Sequence, residues 1–153
     1  MTIKAGTFLK STAVLHDTVF ENTLLFITEC NASGAAGFVV NKLFPRKLNE
    51  LVEFKSSIAF PLYNGGPVEG EKVFFIHQRP DLIDGGQQIT NDIFLGGNFR
   101  QAVGHINRKT LTEKDIKIFI GYCGWDDNEL EEEVAEGSWK IAADWVGSVF
   151  DLQ

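Results

Sequence analysis

The chain has 153 residues, enough for one domain or two very small ones. Hydrophobic residues make up 44% and charged residues 23%, which excludes a disordered chain, and no apolar run reaches the roughly 18 residues of a membrane helix. Fourteen Lys and Arg stand against 21 Asp and Glu, a formal net charge of −7.

The acidic surplus is local. Asp126, Asp127, Glu129, Glu131, Glu132, Glu133 and Glu136 follow one another with no base among them, and the remaining acids and bases balance. Such a chain has no broad positive field for a phosphate backbone, so direct nucleic-acid binding is not expected. Two small basic groupings, Lys42, Arg46, Lys47 and Lys55, then Arg100, Arg108, Lys109, Lys114 and Lys117, read as solvated faces. Cys30 and Cys123 form no paired motif and the three His have no metal-ligand spacing, so no metal and no cofactor is expected. The first ten residues carry no signal-peptide run, which points to the cytoplasm with reduced thiols.

In chain order, Thr7–Leu9 reads as a short opening strand, and Thr23–Cys30 as a clearer one, rich in β-branched and aromatic residues. Turn residues at Asn31–Gly34 join it to Gly37–Asn41, a hairpin pattern. Leu48, Leu51 and Val52 at i, i+3 and i+4 predict a short helix over Leu48–Phe54. Phe60–Tyr63 leads into Gly65-Gly66-Pro67, and Val73–His77 is another strand. Arg79–Asn91 reads as loop and Ile93–Leu95 as a brief strand.

Asn98 caps a predicted helix at Phe99–Ile106, and the alternating Ile116–Tyr122 makes a central strand. The acidic helix follows over Asp126–Glu136. Asp126 is its expected N-cap with Glu129 at N3, Leu130 and Val134 face inward, and Gly137 stands at C′. Glu129, Glu132, Glu133 and Glu136 form its predicted exposed stripe. Lys140–Ala143 reads as a returning strand and Trp145–Phe150 as a tail with no assigned structure. Strands outnumber helices without regular alternation. That predicts a single α+β domain over residues 1–153, with a mixed, largely antiparallel sheet curved toward a barrel and a few short flanking helices.

Gly34-Ala35-Ala36-Gly37 lies between strands, where a phosphate cradle would need a helix N-terminus, so a tight turn is the preferred reading. Gly65-Gly66-Pro67 likewise fixes a backbone reversal. Gly121-Tyr122-Cys123-Gly124-Trp125 ends the central strand and leads into a helix, a position that lowers a thiol pKa. A nucleophilic Cys123 would need His77 as its base; the preferred reading is a packed thiol. His16 and Asp17 are neighbours that a strand would send to opposite faces, and they read as loop residues. No catalytic residue is assigned.

These segments in order, Gly6 with Phe8-Leu9, Asp17-Thr18-Val19-Phe20, Gly34–Lys42, Gly65–Val68, the strand ending at His77, Gly121–Trp125, Leu130-Glu131 with Glu133, and Ser138-Trp139, resemble the AlgH/YqgE family of small bacterial proteins. The chain differs in having Asn128-Glu129-Leu130 where the family commonly has Gly-Gln-Leu, and Cys123 where many members have a small residue. The resemblance implies an α+β fold with a mixed, barrel-like sheet, the family's customary label of transcriptional regulator, and no established catalytic residue or cofactor.

Two functions stay open. The first is a non-enzymatic regulatory module acting through a protein partner, with Glu129, Glu132, Glu133 and Glu136 as its contact face. The second is a small-molecule site, enzymatic or not, where three glycine segments converge: Gly34, Gly37, Asn41, Gly65, Gly66, His77, Tyr122, Cys123 and Trp125. Association with a second copy is compatible with either.

Overall fold

The computed structural model describes residues 3–142 and 148–151. Among these residues ten strands form one connected sheet: β1 Phe8–Ser11, β2 Leu24–Asn31, β3 Gly34–Val39, β4 Leu43–Lys47, β5 Pro61–Asn64, β6 Val68–His77, β7 Gln87–Gln88, β8 Phe94–Leu95, β9 Ile116–Trp125 and β10 Trp139–Ile141. Two α-helices, α1 Phe99–Asn107 and α2 Glu129–Ala135, flank it. The main path runs β10-β1-β2-β3-β9-β6-β8-β7 and is not closed into a barrel. Pairing is antiparallel except for β5 on β9, so the sheet is mixed and the fold is α+β.

The central strand β9 is where the fold is decided. One edge pairs with β6, between Val68 and His77. The other edge is shared: β5 runs beside Ile118–Ile120 and β3 beside Cys123–Trp125. The exchange of partners falls at Gly121, whose φ of 75° is left-handed. At that point Gly65 donates to the Ile120 carbonyl and accepts from the Val39 N–H, both at 2.9 Å. Neither segment has room for a side chain there. A Cβ on Gly121 would strike the Gly66 carbonyl oxygen, and one on Gly65 would strike that of Gly121.

The left-handed residue also resets the two-residue side-chain period. Ile116, Ile118 and Ile120 pack under α1 with Ala102 and Ile106. Beyond Gly121, Cys123 and Trp125 join the cluster under α2, with Leu25, Ile27, Leu130 and Trp139. Phe119 and Tyr122 face the other side, among Phe26, Phe38, Tyr63, Ile76 and Phe150. Alternation on β2 (Leu25 and Ile27 one way, Leu24 and Phe26 the other) and on β6 (Phe75 against Phe74 and Ile76) builds the same three cores.

Several local expectations are corrected. Leu48–Phe54 is not one helix but two 3₁₀ turns, Leu48–Glu50 and Val52–Phe54, separated by an extended Leu51 with ψ 135°. Leu48 is buried while Val52 is 86% exposed, so the three apolar residues share no face. The stretch Leu43–Lys47 is a strand, and β6 starts five residues before Val73. The acidic helix starts at Glu129; its N-cap is Asn128, left-handed at φ 63° and without a capping side-chain bond. Asp126 instead gives its N–H to the Glu129 carboxylate at 3.2 Å, so half of the expected capping box survives.

Other expectations hold. The side chain of Asn98 caps α1 by accepting from the Gln101 N–H, and Gly137, at φ 88°, closes α2 with Ser138 N–H to Glu133 O and Gly137 N–H to Val134 O. Ala143 and residues 145–147 of the expected last strand and tail lie outside the described residues.

Gly121→Ala is expected to cost at least about 2 kcal/mol in denaturant unfolding. Gly70→Ala, where a Cβ meets nothing within 4 Å, is the matched control and should change stability by less than about 1 kcal/mol.

Candidate functional site

The three glycine segments do meet. Gly37 lies opposite Cys123 and Ala36 opposite Gly124 in the β3–β9 ladder, and Gly66 lies against Tyr122 and Cys123. Their small size is used by backbone. A Cβ on Gly34 would strike the Trp125 carbonyl, and one on Gly37 would come within 2.5 Å of the Phe26 carbonyl.

Beside this junction opens a cleft of about 540 Å³. Thr28 and Glu29 of β2, Ala36–Phe38 of β3, Glu69 and Val73–Phe75 of β6, Leu95 of β8 with Gly96 and Gly97 after it, Phe99 of α1 and Tyr122 line it. Its position follows from strand lengths. On its edge away from β9, β6 pairs with β8 only at Ile76 and His77, so among the described residues the edge from Val73 toward Glu69 has no strand partner. Across the gap the β2–β3 register slips between Ile27 and Glu29, a bulge at Thr28. The buried Thr28 hydroxyl donates to the Ala36 carbonyl at 3.3 Å.

Of the predicted ligand residues, Gly37 and Tyr122 reach this cleft and the others do not. Asn41 is structural: its amide accepts from Leu24 N–H and donates to the Asn22 carbonyl, tying down the preceding loop. His77 is fully buried, its ring flanked by Phe75 and Phe94. Nδ1 accepts from the Arg79 N–H and Nε2 is 3.1 Å from the Gly96 carbonyl, which fixes a neutral ring protonated on Nε2. Burial holds its pKa below 6.5, against a smaller upward pull from the Gly96 carbonyl.

Cys123 is buried, and its thiol reaches the Gly65 carbonyl at 3.5 Å. Burial pushes it up to about 12, against the small opposing effect of a backbone hydrogen bond, so the helix start beside it does not make a thiolate. His77 pairs with Ile116, at the far end of β9 from Cys123. The two do not form a nucleophile–base pair.

The acidic helix divides. Glu129, Glu132 and Glu136 are exposed, but Glu133 turns inward. One of its oxygens accepts from both Trp125 Nε1 (3.2 Å) and Trp139 Nε1 (3.0 Å). It therefore pins α2 to the sheet and leaves the predicted stripe. His16 makes its close contact with Glu21, 2.5 Å from Nδ1, while Asp17 lies 3.7 Å from Nε2. The two carboxylates thus approach different ring nitrogens, and one ligand atom of each of the three exposed or half-exposed residues lies within 4.8 Å of the others.

Lys117 is not on a basic surface. It is 2% exposed, donates to the Val40 carbonyl at 3.2 Å and lies 3.7 Å from the centre of the Tyr63 ring. Burial lowers its pKa from 10.5 to about 8, with Glu113 acting in the opposite direction.

Apart from Gly37 and Tyr122 the cleft lining is not among the predicted residues, Thr28, Glu29, Glu69, Phe38, Phe74, Phe75 and Phe99 being the missed ones that give it its chemistry. Their only signal is the surplus of 13 Phe; the bulge and the uncovered strand edge have no local signature.

The profile of the AlgH-like family matches residues 8–153. The chain belongs to this family. A UPF0301 protein of Chlorobium phaeobacteroides is 39% identical over 140 residues, covering 92% of this chain and 75% of the relative. One from Bacteroides thetaiotaomicron is 30% identical, covering 90% and 70%. The solution structure of the AlgH protein from Pseudomonas aeruginosa superposes with a TM-score of 0.74 at 24% identity, over 99% of this chain and 86% of that one. A Corynebacterium diphtheriae crystal structure gives 0.75 at 17%, over 93% and 76%. These two likenesses concern the fold.

Because the folded chain sheds the Lys117 proton near pH 8 and the unfolded chain near 10.5, the unfolded state holds more protons in between. Stability therefore rises with pH through that window, and below pH 8 the charged, buried ammonium is a fixed cost. Lys117→Met should melt higher than the parent at pH 7, by up to about 3 kcal/mol, and lose the rise between pH 8 and 10.5. An equal or lower melting temperature at pH 7 would show that the partners of the ammonium, the Val40 carbonyl and the Tyr63 ring among them, outweigh desolvation.

Proposed function

We propose that the protein is a non-enzymatic, cytoplasmic binding module whose recognition seat is the cleft between the β2 bulge and the open edge of β6. The observation that carries this reading is the lining itself: aromatic walls, two carboxylates at the rim and a preformed volume in the range of ligand sites. The state of the reactive groups supports it too. The Cys123 thiol and the His77 ring are buried, apart and already hydrogen-bonded. Both cysteines are free thiols, as a reducing compartment keeps them. Among the described residues no helix is long and apolar enough to cross a membrane. Any effect on transcription would pass through a bound ligand or another protein, since a net charge of −7 opposes contact with DNA.

Native mass spectrometry of protein purified gently from its own cells tests the seat. A bound species of reproducible low mass is expected, and Ala36→Trp, which fills the cleft, should abolish it. Bare wild-type protein, or an adduct that survives the substitution, would overturn the reading.

A second reading rests on α2. Glu129, Glu132 and Glu136 are exposed and, among the described residues, take part in no ion pair, so they offer a face to a basic protein surface. Reversing these three to Lys while keeping Glu133 should leave the melting temperature within a few degrees and abolish capture of a protein partner. Unchanged pull-downs would remove this reading.

A further inference from the structure

We infer that the cleft takes a small organic cation, an ammonium or guanidinium group carried on an apolar stem. The inference rests on the cleft being the recognition seat and adds the chemistry of what it holds. Phe38, Phe74, Phe75, Phe99 and Tyr122 contribute to the lining. Their mutual contacts hold the rings in place: Phe74 meets Tyr122 edge-on at 5.4 Å, Phe38 lies 6.0 Å from Phe74, and Phe75 lies 5.2 Å from Phe99. A wall of fixed rings binds an apolar stem without an ordering cost, and ring faces attract positive charge.

The charge of the lining has one sign. Among the described residues Glu29 and Glu69 are its only ionisable carboxylates, and it includes no Lys, Arg or His. Glu69 is held by Lys72 at 3.0 Å, an exposed pair of the kind that exchanges partners at little cost. Glu29 is bonded by the neutral amide of Asn31 at 3.0 Å. The carboxylate of Glu29, also in the lining, thus has no cation paired to it among the described residues. An anionic ligand meets repulsion here, and a neutral one gains nothing from the rim. A cation gains from both the rings and the carboxylates.

Three probes of nearly one shape separate these cases: phenethylammonium, 2-phenylethanol and 3-phenylpropionate, each titrated into the ¹⁵N-labelled protein. The cation is expected to shift the amides of Gly37, Phe74, Gly97 and Tyr122 and to bind at least about tenfold more tightly than the alcohol, with no saturable shift from the carboxylate. Glu29→Gln should erase most of the cation's advantage and leave the alcohol unchanged. If the alcohol binds as tightly as the cation, or Glu29→Gln changes nothing, cation recognition is overturned while the cleft remains a seat for apolar ligands. If no probe moves the cleft amides, both the inference and the seat on which it rests fail.

Discussion

The close approach of two backbones at Gly65–Gly66 and Gly121–Cys123 is the constraint on which the other features hang. Only there can β5 leave the edge of β9 and β3 take it over, with Gly65 hydrogen-bonded to both sides. The left-handed turn of Gly121 shifts the phase of the strand, so a single ten-residue segment supplies side chains to three separate cores. The two α-helices then cover the same face of β9 at different points along its length. The glycines that invite a ligand-binding interpretation are occupied by main chain.

The cleft is a by-product of the same economy of strands. β8 is two residues long and covers only the end of β6, and the bulge at Thr28 turns the facing strand aside. The aromatic inner core reaches the surface through the gap. Elsewhere among the described residues, polar groups that enter the interior mostly arrive with partners, the Asn49 amide oxygen excepted. His77 uses both ring nitrogens, Glu133 serves two indoles, and Lys117 has a carbonyl and a ring.

Much of the fold is legible in the sequence because alternation and capping are local. Ile116–Tyr122, Thr23–Cys30, the Asn98 cap and the Gly137 stop are each specified by residues within one turn or one strand. The helix expected at Leu48–Phe54 fails because a three-residue apolar spacing fits two broken 3₁₀ turns as well as one helix, and only the extended Leu51 distinguishes them. Charge grouping places Lys117 on a solvated face, although it alternates within the central strand. A strand covered on both sides buries even its polar positions, and that second covering layer is set by residues far away in sequence. Glu133 escapes detection for a related reason: its partners, Trp125 and Trp139, lie outside its own helix. The cleft was the least legible feature, since it is defined by where strands stop.

The Glu133 clamp gives the molecule a built-in optical gauge. Two of its three tryptophans donate to that one carboxylate, and neither lines the aromatic cleft. Indole emission is therefore weighted toward the seat of the acidic helix. A spectral change on adding a partner would report that helix lifting or being covered, whereas a ligand entering beside Tyr122 would leave these two indoles in place.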